Sequence, residues 1–203
     1  MKIKNLIIFY PSFERGGVEM IIKNLISFLT KKKLNIYLIT SNSYNVKTIK
    51  KTKNLKIIKP KINNFDFLPN RFSTSINCGK LLINLTKKLD KSNTVIHSMQ
   101  SNFVPILIAK YLNFKIVMRN SEDPIESIKY SENKISSYLI FLLRFIFYNL
   151  ADKIITNSKG SSSSLKLFLF GKNKNKIQYI YNPYIKKIYS HNFQKKKKLI
   201  LAV

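Results

Sequence analysis

The sequence predicts an α/β fold, a Rossmann-like parallel sheet flanked by helices. Three observations carry this. Short apolar runs alternate with stretches of helical periodicity, the order that strands with crossover helices produce. The runs are apolar on both faces instead of alternating, as strands of a covered parallel sheet are. A length of 203 residues with 45% hydrophobic content suffices for one well-buried domain and leaves little for a second.

The elements follow in order. Lys4 to Phe9 (KNLIIF) is a buried strand, and a loop leads to a helix over Val18 to Thr30. There Val18, Ile21, Ile22, Leu25, Ile26 and Leu29 recur at helical spacing. Asn35 to Thr40 is the second strand. Asn42 to Lys53 is polar and lysine-rich, a loop or short helix, and Leu55 to Ile58 is a weak strand. Pro60 to Ser75 looks irregular, and Ile76 to Leu89 helical.

Thr94 to His97 is a strand, followed by a helix from about Ser101 to Leu112 and a strand at Lys115 to Met118. The polar stretch Ser121 to Ser131, with Pro124, leads into a longer helix from about Glu132 to Leu150. Asp152 to Thr156 is a strand, Ser161 to Phe170 a helix stopped by Gly171, and Lys176 to Ile180 a last strand. After a lysine run, Leu199 to Val203 has the pattern of a new buried strand. The expected division is therefore residues 1–185 as one domain and 186–203 as a linker and the first strand of another.

The net charge is +28, which points either to a polyanionic partner or to biased composition. Of the 37 basic residues only Arg15, Arg71, Arg119 and Arg144 are arginine, leaving 33 lysines. Proteins built to grip phosphate favour arginine for its bidentate contacts. A nucleic-acid reading further lacks zinc spacing, a helix-turn-helix or an aromatic RNA-binding motif, and the lysines are scattered. The single cysteine, Cys78, excludes an internal disulfide and has no histidine near it in sequence, so a packed thiol is expected. Leu6 to Tyr10 is too short for a secretory signal, and Tyr138 to Tyr148 too short to span a bilayer. The helix over Glu132 to Leu150 is apolar around most of its circumference. Core packing is the first explanation, and insertion into a membrane interface the second.

In an open parallel sheet, ligands bind at the carboxyl ends of the strands. The sharpest loop there is Pro11-Ser12-Phe13-Glu14-Arg15-Gly16-Gly17-Val18-Glu19. Adjacent glycines allow close backbone approach, and the following helix start offers free amides to a phosphate or sugar hydroxyl. A plain strand-to-helix turn is the alternative. Neither GxGxxG nor a P-loop is present, which counts against NAD and ATP enzymes of those types.

With these residues in place the chain resembles the N-terminal domain of family 4 retaining glycosyltransferases, which have the GT-B fold of two facing Rossmann-like domains. The resemblance rests on four pieces in order: Gly16-Gly17-Val18-Glu19, Val95-Ile96-His97, Ala151 to Ser158, and Ile180-Tyr181-Asn182-Pro183. It implies transfer of a sugar from a nucleotide-sugar, as co-substrate, to a glycan or lipid-linked acceptor in cell-envelope polysaccharide synthesis. It further implies no metal or other cofactor and a cytoplasmic chain that can sit on the anionic inner face of the membrane. Gly16, Gly17, Glu19, His97, Arg119, Asn120 and Ser158 become the candidate binding residues, with no catalytic residue assigned. One departure stands out: where many members carry a histidine after the strand Lys115 to Met118, this chain has Arg119-Asn120. Arg119 then either neutralises a phosphate or caps a strand end. The family's paired glutamates have no counterpart here, so a chain without transfer activity of its own is the alternative.

Overall fold

A computed structural model describes residues 2–12, 17–41, 49–50, 52–61, 70–99, 102–129, 134–171 and 174–182. Seven strands form one parallel sheet: β1 (Asn5–Phe9), β2 (Asn35–Ile39), β3 (Leu55–Ile58), β4 (Thr94–Ser98), β5 (Lys115–Asn120), β6 (Lys153–Thr156) and β7 (Ile177–Tyr179). Their spatial order is β3-β2-β1-β4-β5-β6-β7. The helices are α1 (Gly17–Leu29), α2 (Asn70–Thr86), α3 (Phe103–Tyr111), α4 (Pro124–Lys129), α5 (Lys134–Leu150) and α6 (Lys159–Phe168). The expected Rossmann-like α/β fold is the observed one.

Successive residues of β1 serve opposite layers. Ile7 and Phe9 join Ile96, Ile116, Met118 and Ile154 in a core roofed by Leu82, Ile106 and Phe168 from α2, α3 and α6. Ile8 turns the other way, packing with Ile36 and Leu38 against Ile22 and Ile26 of α1. Each fully buried isoleucine or leucine contributes roughly 1.5–3 kcal/mol by removal from water. This two-sided demand explains the unbroken apolar runs in the sequence.

The amino ends of the central strands are closed by a polar clamp. Asn5 Nδ2 donates to Asn93 Oδ1 at 2.9 Å and to Thr94 Oγ1 at 3.2 Å, while Asn35 Nδ2 donates to Asn5 Oδ1 at 3.1 Å. The carboxyl ends are arranged differently. From β1 the chain first builds outward to β2 and β3, then returns to place β4 on the other side of β1, with Phe9 beside Ser98. At this reversal α1 and α3 lie on opposite faces and open a crevice.

Two segments differ from expectation. Part of the stretch assigned as irregular, Asn70 to Ser75, is the first third of α2. Its Ser73 and Ser75 are buried polar residues, so tertiary packing overrides a weak local preference. Within the polar stretch Ser121 to Ser131 lies α4, started by Asp123, whose Oδ1 accepts from Ile125 N and Glu126 N, and by Pro124 at its first position. Cys78 is buried with its pKa pushed up to about 12 by burial, an inert packed thiol. The division near residue 185 and the strand expected at Leu199 to Val203 lie outside the described residues. Among those described, no helix is long and apolar enough to cross a membrane.

Candidate functional site

Two hollows open at the carboxyl ends of the central strands and share Met99 and Arg119. The first, about 300 Å³, lies between Val18 at the start of α1, Phe72 of α2 and a wall of Asn120, Glu122, Arg144 and Tyr148. The second, about 360 Å³, lies beneath α1 between Ile21, Leu25 and Phe28, with His97 on its floor and Tyr181 and Asn182 at its rim.

Arg119 is 6% exposed at the end of β5, an uncommon location for a guanidinium. Its Nη2 donates to Asn182 Oδ1 at 2.9 Å, and its carbonyl accepts from Asn102 Nδ2 at 3.1 Å. Asn102 Oδ1 in turn accepts from Ser98 Oγ at 2.5 Å, so the tips of β4 and β5 are tied through one side chain. The sequence alternatives for Arg119, phosphate partner or strand-end cap, are therefore compatible: the group is braced, and it faces both hollows.

His97 is half-buried on β4, with Nε2 closed off from solvent and without a hydrogen-bond partner. Burial first, and then the neighbouring Arg119 charge, lower its pKa to about 4. The ring is thus neutral at physiological pH. A neutral imidazole suits hydrogen bonding to a ligand hydroxyl better than it suits carrying charge.

On the other wall, Asn120 Oδ1 accepts from Tyr148 OH at 3.2 Å and Asn120 Nδ2 donates to the Glu122 carbonyl at 2.6 Å. Burial holds the Tyr148 phenol above its ordinary pKa, and Arg144 is ion-paired with Glu122. Behind the turn, Glu19 is 5% exposed; Oε1 accepts from Tyr10 OH at 2.8 Å, and Oε2 is enclosed without a hydrogen-bond partner. As a carboxylate in the first turn of α1 it also gains from the helix dipole.

The structure thus gathers His97, Arg119 and Asn120 around the two hollows. Gly17 begins α1 beside the first of them, whereas Gly16 lies outside the described residues. Ser158 caps α6, its Oγ accepting from Ser161 N at 3.1 Å, and it lines neither hollow. Reading the sequence alone missed Asn102, Arg144 and Tyr148, which come from elements distant along the chain. A polar residue within an apolar helix, as Arg144 is, was the one available signal. Among the described residues no cluster of three His, Cys, Asp or Glu side chains could hold a metal ion.

No protein-family model matches the chain, and no curated protein matches its sequence. Solved structures do match its fold. Anabaena HepE in complex with UDP superposes with a TM-score of 0.57 at 13% identity, over 89% of this chain and 44% of that one. The lipopolysaccharide outer core galactosyltransferase WaaB gives 0.55 at 16% identity, over 89% and 46%. A UDP-N-acetylglucosamine 2-epimerase from Rickettsia bellii gives 0.56 at 13% identity, over 88% and 44%. The chain spans less than half the length of these three proteins. What they share with it is the Rossmann-like fold of one half of a GT-B architecture.

Proposed function

We propose that this chain forms the acceptor-side half of a glycosyltransferase that draws a sugar from a nucleotide-sugar. The observation that carries the reading is Arg119, a buried and braced cation at the carboxyl end of β5, one strand from the topological switch point and placed between two hollows beside a neutral His97. A guanidinium held there suits a diphosphate. The uncharged imidazole suits a sugar hydroxyl. Gly16, Gly17 and Glu19 belong, on the family resemblance, near the donor's phosphates, and Asn120 with Tyr148 forms the acceptor wall. Ser158 stays a candidate from the resemblance alone. The acceptor is a glycan or lipid-linked sugar of the cell envelope, reached from the cytoplasmic side. In this reading residues 1–185 are the domain and 186–203 lead toward a second one, where retaining family 4 members carry the paired glutamates.

The fold is shared with an epimerase acting on a nucleotide-sugar, so fold alone does not separate transfer from epimerisation. The four sequence pieces favour transfer. Calorimetric titration of the 203-residue chain with UDP tests the reading. Weak binding, about millimolar, is expected from one half of a cleft, and Arg119→Met should weaken it at least about tenfold. Binding unchanged in that variant would remove Arg119 from the site. No turnover is expected from this chain alone. A product in which an altered sugar is still joined to UDP would replace transfer by epimerisation.

A further inference from the structure

The first hollow carries more positive charge than a neutral sugar needs. Arginine is scarce in this chain, four of 37 basic residues, yet Arg119 and Arg144 both line this one hollow. Arg119 has a use toward a diphosphate; Arg144 has none so far. It lies in the apolar helix α5 with its side chain 17% exposed, and its Nη2 donates to Glu122 Oε2. Its Nη1 donates to Ser127 Oγ of α4 at 3.0 Å. A guanidinium shielded to this degree is costly unless an anion meets it, and here the chain supplies the anion itself. The two partners are held very differently. Glu122 stands on the short connection between β5 and α4, and its side chain is 64% exposed. Its carboxylate can turn into water at little cost, whereas Arg144 stays in the wall. The rest of the hollow, about 300 Å³, suits a single sugar ring. Phe72, 62% exposed, gives it an apolar wall, and Asn102, Asn120 and Tyr148 give it polar groups.

We infer that the first hollow takes an acidic sugar, and that the Glu122 carboxylate occupies the place of that sugar's own oxyanion on Arg144. On binding, a carboxylate or phosphate ester of the sugar replaces Glu122 at the guanidinium, and Glu122 turns to solvent. One ion pair is exchanged for another, and no covalent bond changes. The exchange makes the pair a filter. A neutral sugar leaves Arg144 and Glu122 closed on each other and gains nothing from the guanidinium, whereas an anionic one competes for it. The fraction of time that Glu122 holds Arg144 lowers the affinity for the sugar by the same fraction. Calling this sugar the acceptor rests on the glycosyltransferase reading; the anion site itself does not.

Calorimetric titration of the full chain with methyl glucuronide, glucose 6-phosphate and methyl glucoside tests this. At least one of the two acidic sugars should bind, at about millimolar strength and at least about tenfold more tightly than the neutral glucoside. Which of them binds identifies the oxyanion. Arg144→Lys keeps the charge but loses the fork, and should weaken that binding at least about fivefold. Glu122→Gln removes the internal competitor and should strengthen it about threefold or more. Glu126→Gln makes the same change of charge outside the hollow, where Glu126 pairs with Lys129, and should leave it unaltered. Weaker or equal binding by Glu122→Gln would show that the pair is only a structural tie and would overturn the proposal. So would an equal gain from Glu126→Gln, which would mean that overall charge acts, or a glucoside bound as tightly as the acidic sugars. Should Arg144→Lys fail to fold by circular dichroism, the exposed Glu122→Gln carries the test alone. UDP titration of Glu122→Gln should match wild type. A chain that binds the acidic sugar and not UDP would overturn the nucleotide-sugar reading and leave the anion site standing.

Discussion

Arg119 on β5 and Asn182 beyond β7 are joined by a 2.9 Å hydrogen bond that reaches past β6 and braces the floor of the cleft. Asn182→Ala removes a charge-assisted bond in a shielded place. It should cost about 1.5–3 kcal/mol in urea unfolding. An unchanged midpoint would show that Arg119 is held by its other contacts.

His97 supplies a pH dependence. Its pKa is about 4 in the folded chain against an ordinary 6.5, so the unfolded state binds the extra proton more readily between those values. Stability attributable to His97 is therefore full above pH 6.5 and is lost as pH falls toward 4, by up to about 3 kcal/mol. His97→Phe should flatten that part of a stability–pH curve. Arg119→Met, which removes the second cause of the shift, should raise the His97 pKa followed by NMR.

Tyr10 and Glu19 form the second buried polar pair. Tyr10→Phe strips the one hydrogen bond from Oε1 while Oε2 already has none, leaving a shielded carboxylate unsupported. A loss of about 1–3 kcal/mol is expected in chemical denaturation. Glu19→Gln in the Tyr10→Phe background should recover part of it, because the amide is cheaper to bury than the charge. Recovery in neither direction would mean the carboxylate is reached by water.

Gly79 sets how closely α2 and α3 approach. A Cβ there would lie 2.7 Å from Val104 Cγ1 and 3.2 Å from Ile108 Cδ1. Alanine favours the helix by up to about 1 kcal/mol, but the stiff valine has little room to yield. Overpacking of this kind costs about 1–3 kcal/mol, so Gly79→Ala should lower the melting temperature. Adding Val104→Ala should restore part of it, and a stabilised Gly79→Ala would refute the close contact.

All seven strands were legible because a parallel sheet covered on both faces needs unbroken apolar runs, and runs such as Leu6 to Phe9 have no other simple use. The start of α2 was not, since Asn70 to Ser75 carries no apolar periodicity and is helical only through what it packs against. The signal for α4 was present in Asp123-Pro124, a capping pair inside a stretch that stands out in sequence only as polar. At the site, His97 and Arg119 could be found at strand tips. Tyr148 could not, because it looks like any aromatic in an apolar helix until Asn120 is seen 28 residues away accepting its hydroxyl. For the apolar helix over Glu132 to Leu150 the sequence left core packing and an outward-facing role both open, because periodicity does not distinguish a face against the core from an exposed one.

The position of β1 between β2 and β4 has a consequence for synthesis. A growing chain can pair β1 with β2 once Ile39 has left the ribosome, but the partner on the other side begins only at Thr94. Until then Ile7 and Phe9 lack β4 and the α3 part of their roof, and the edge of β1 stays open to wrong partners. Pairings so separated in sequence form slowly. The stretch between the two strands is rich in lysine, and like charge opposes association of nascent chains through that open edge.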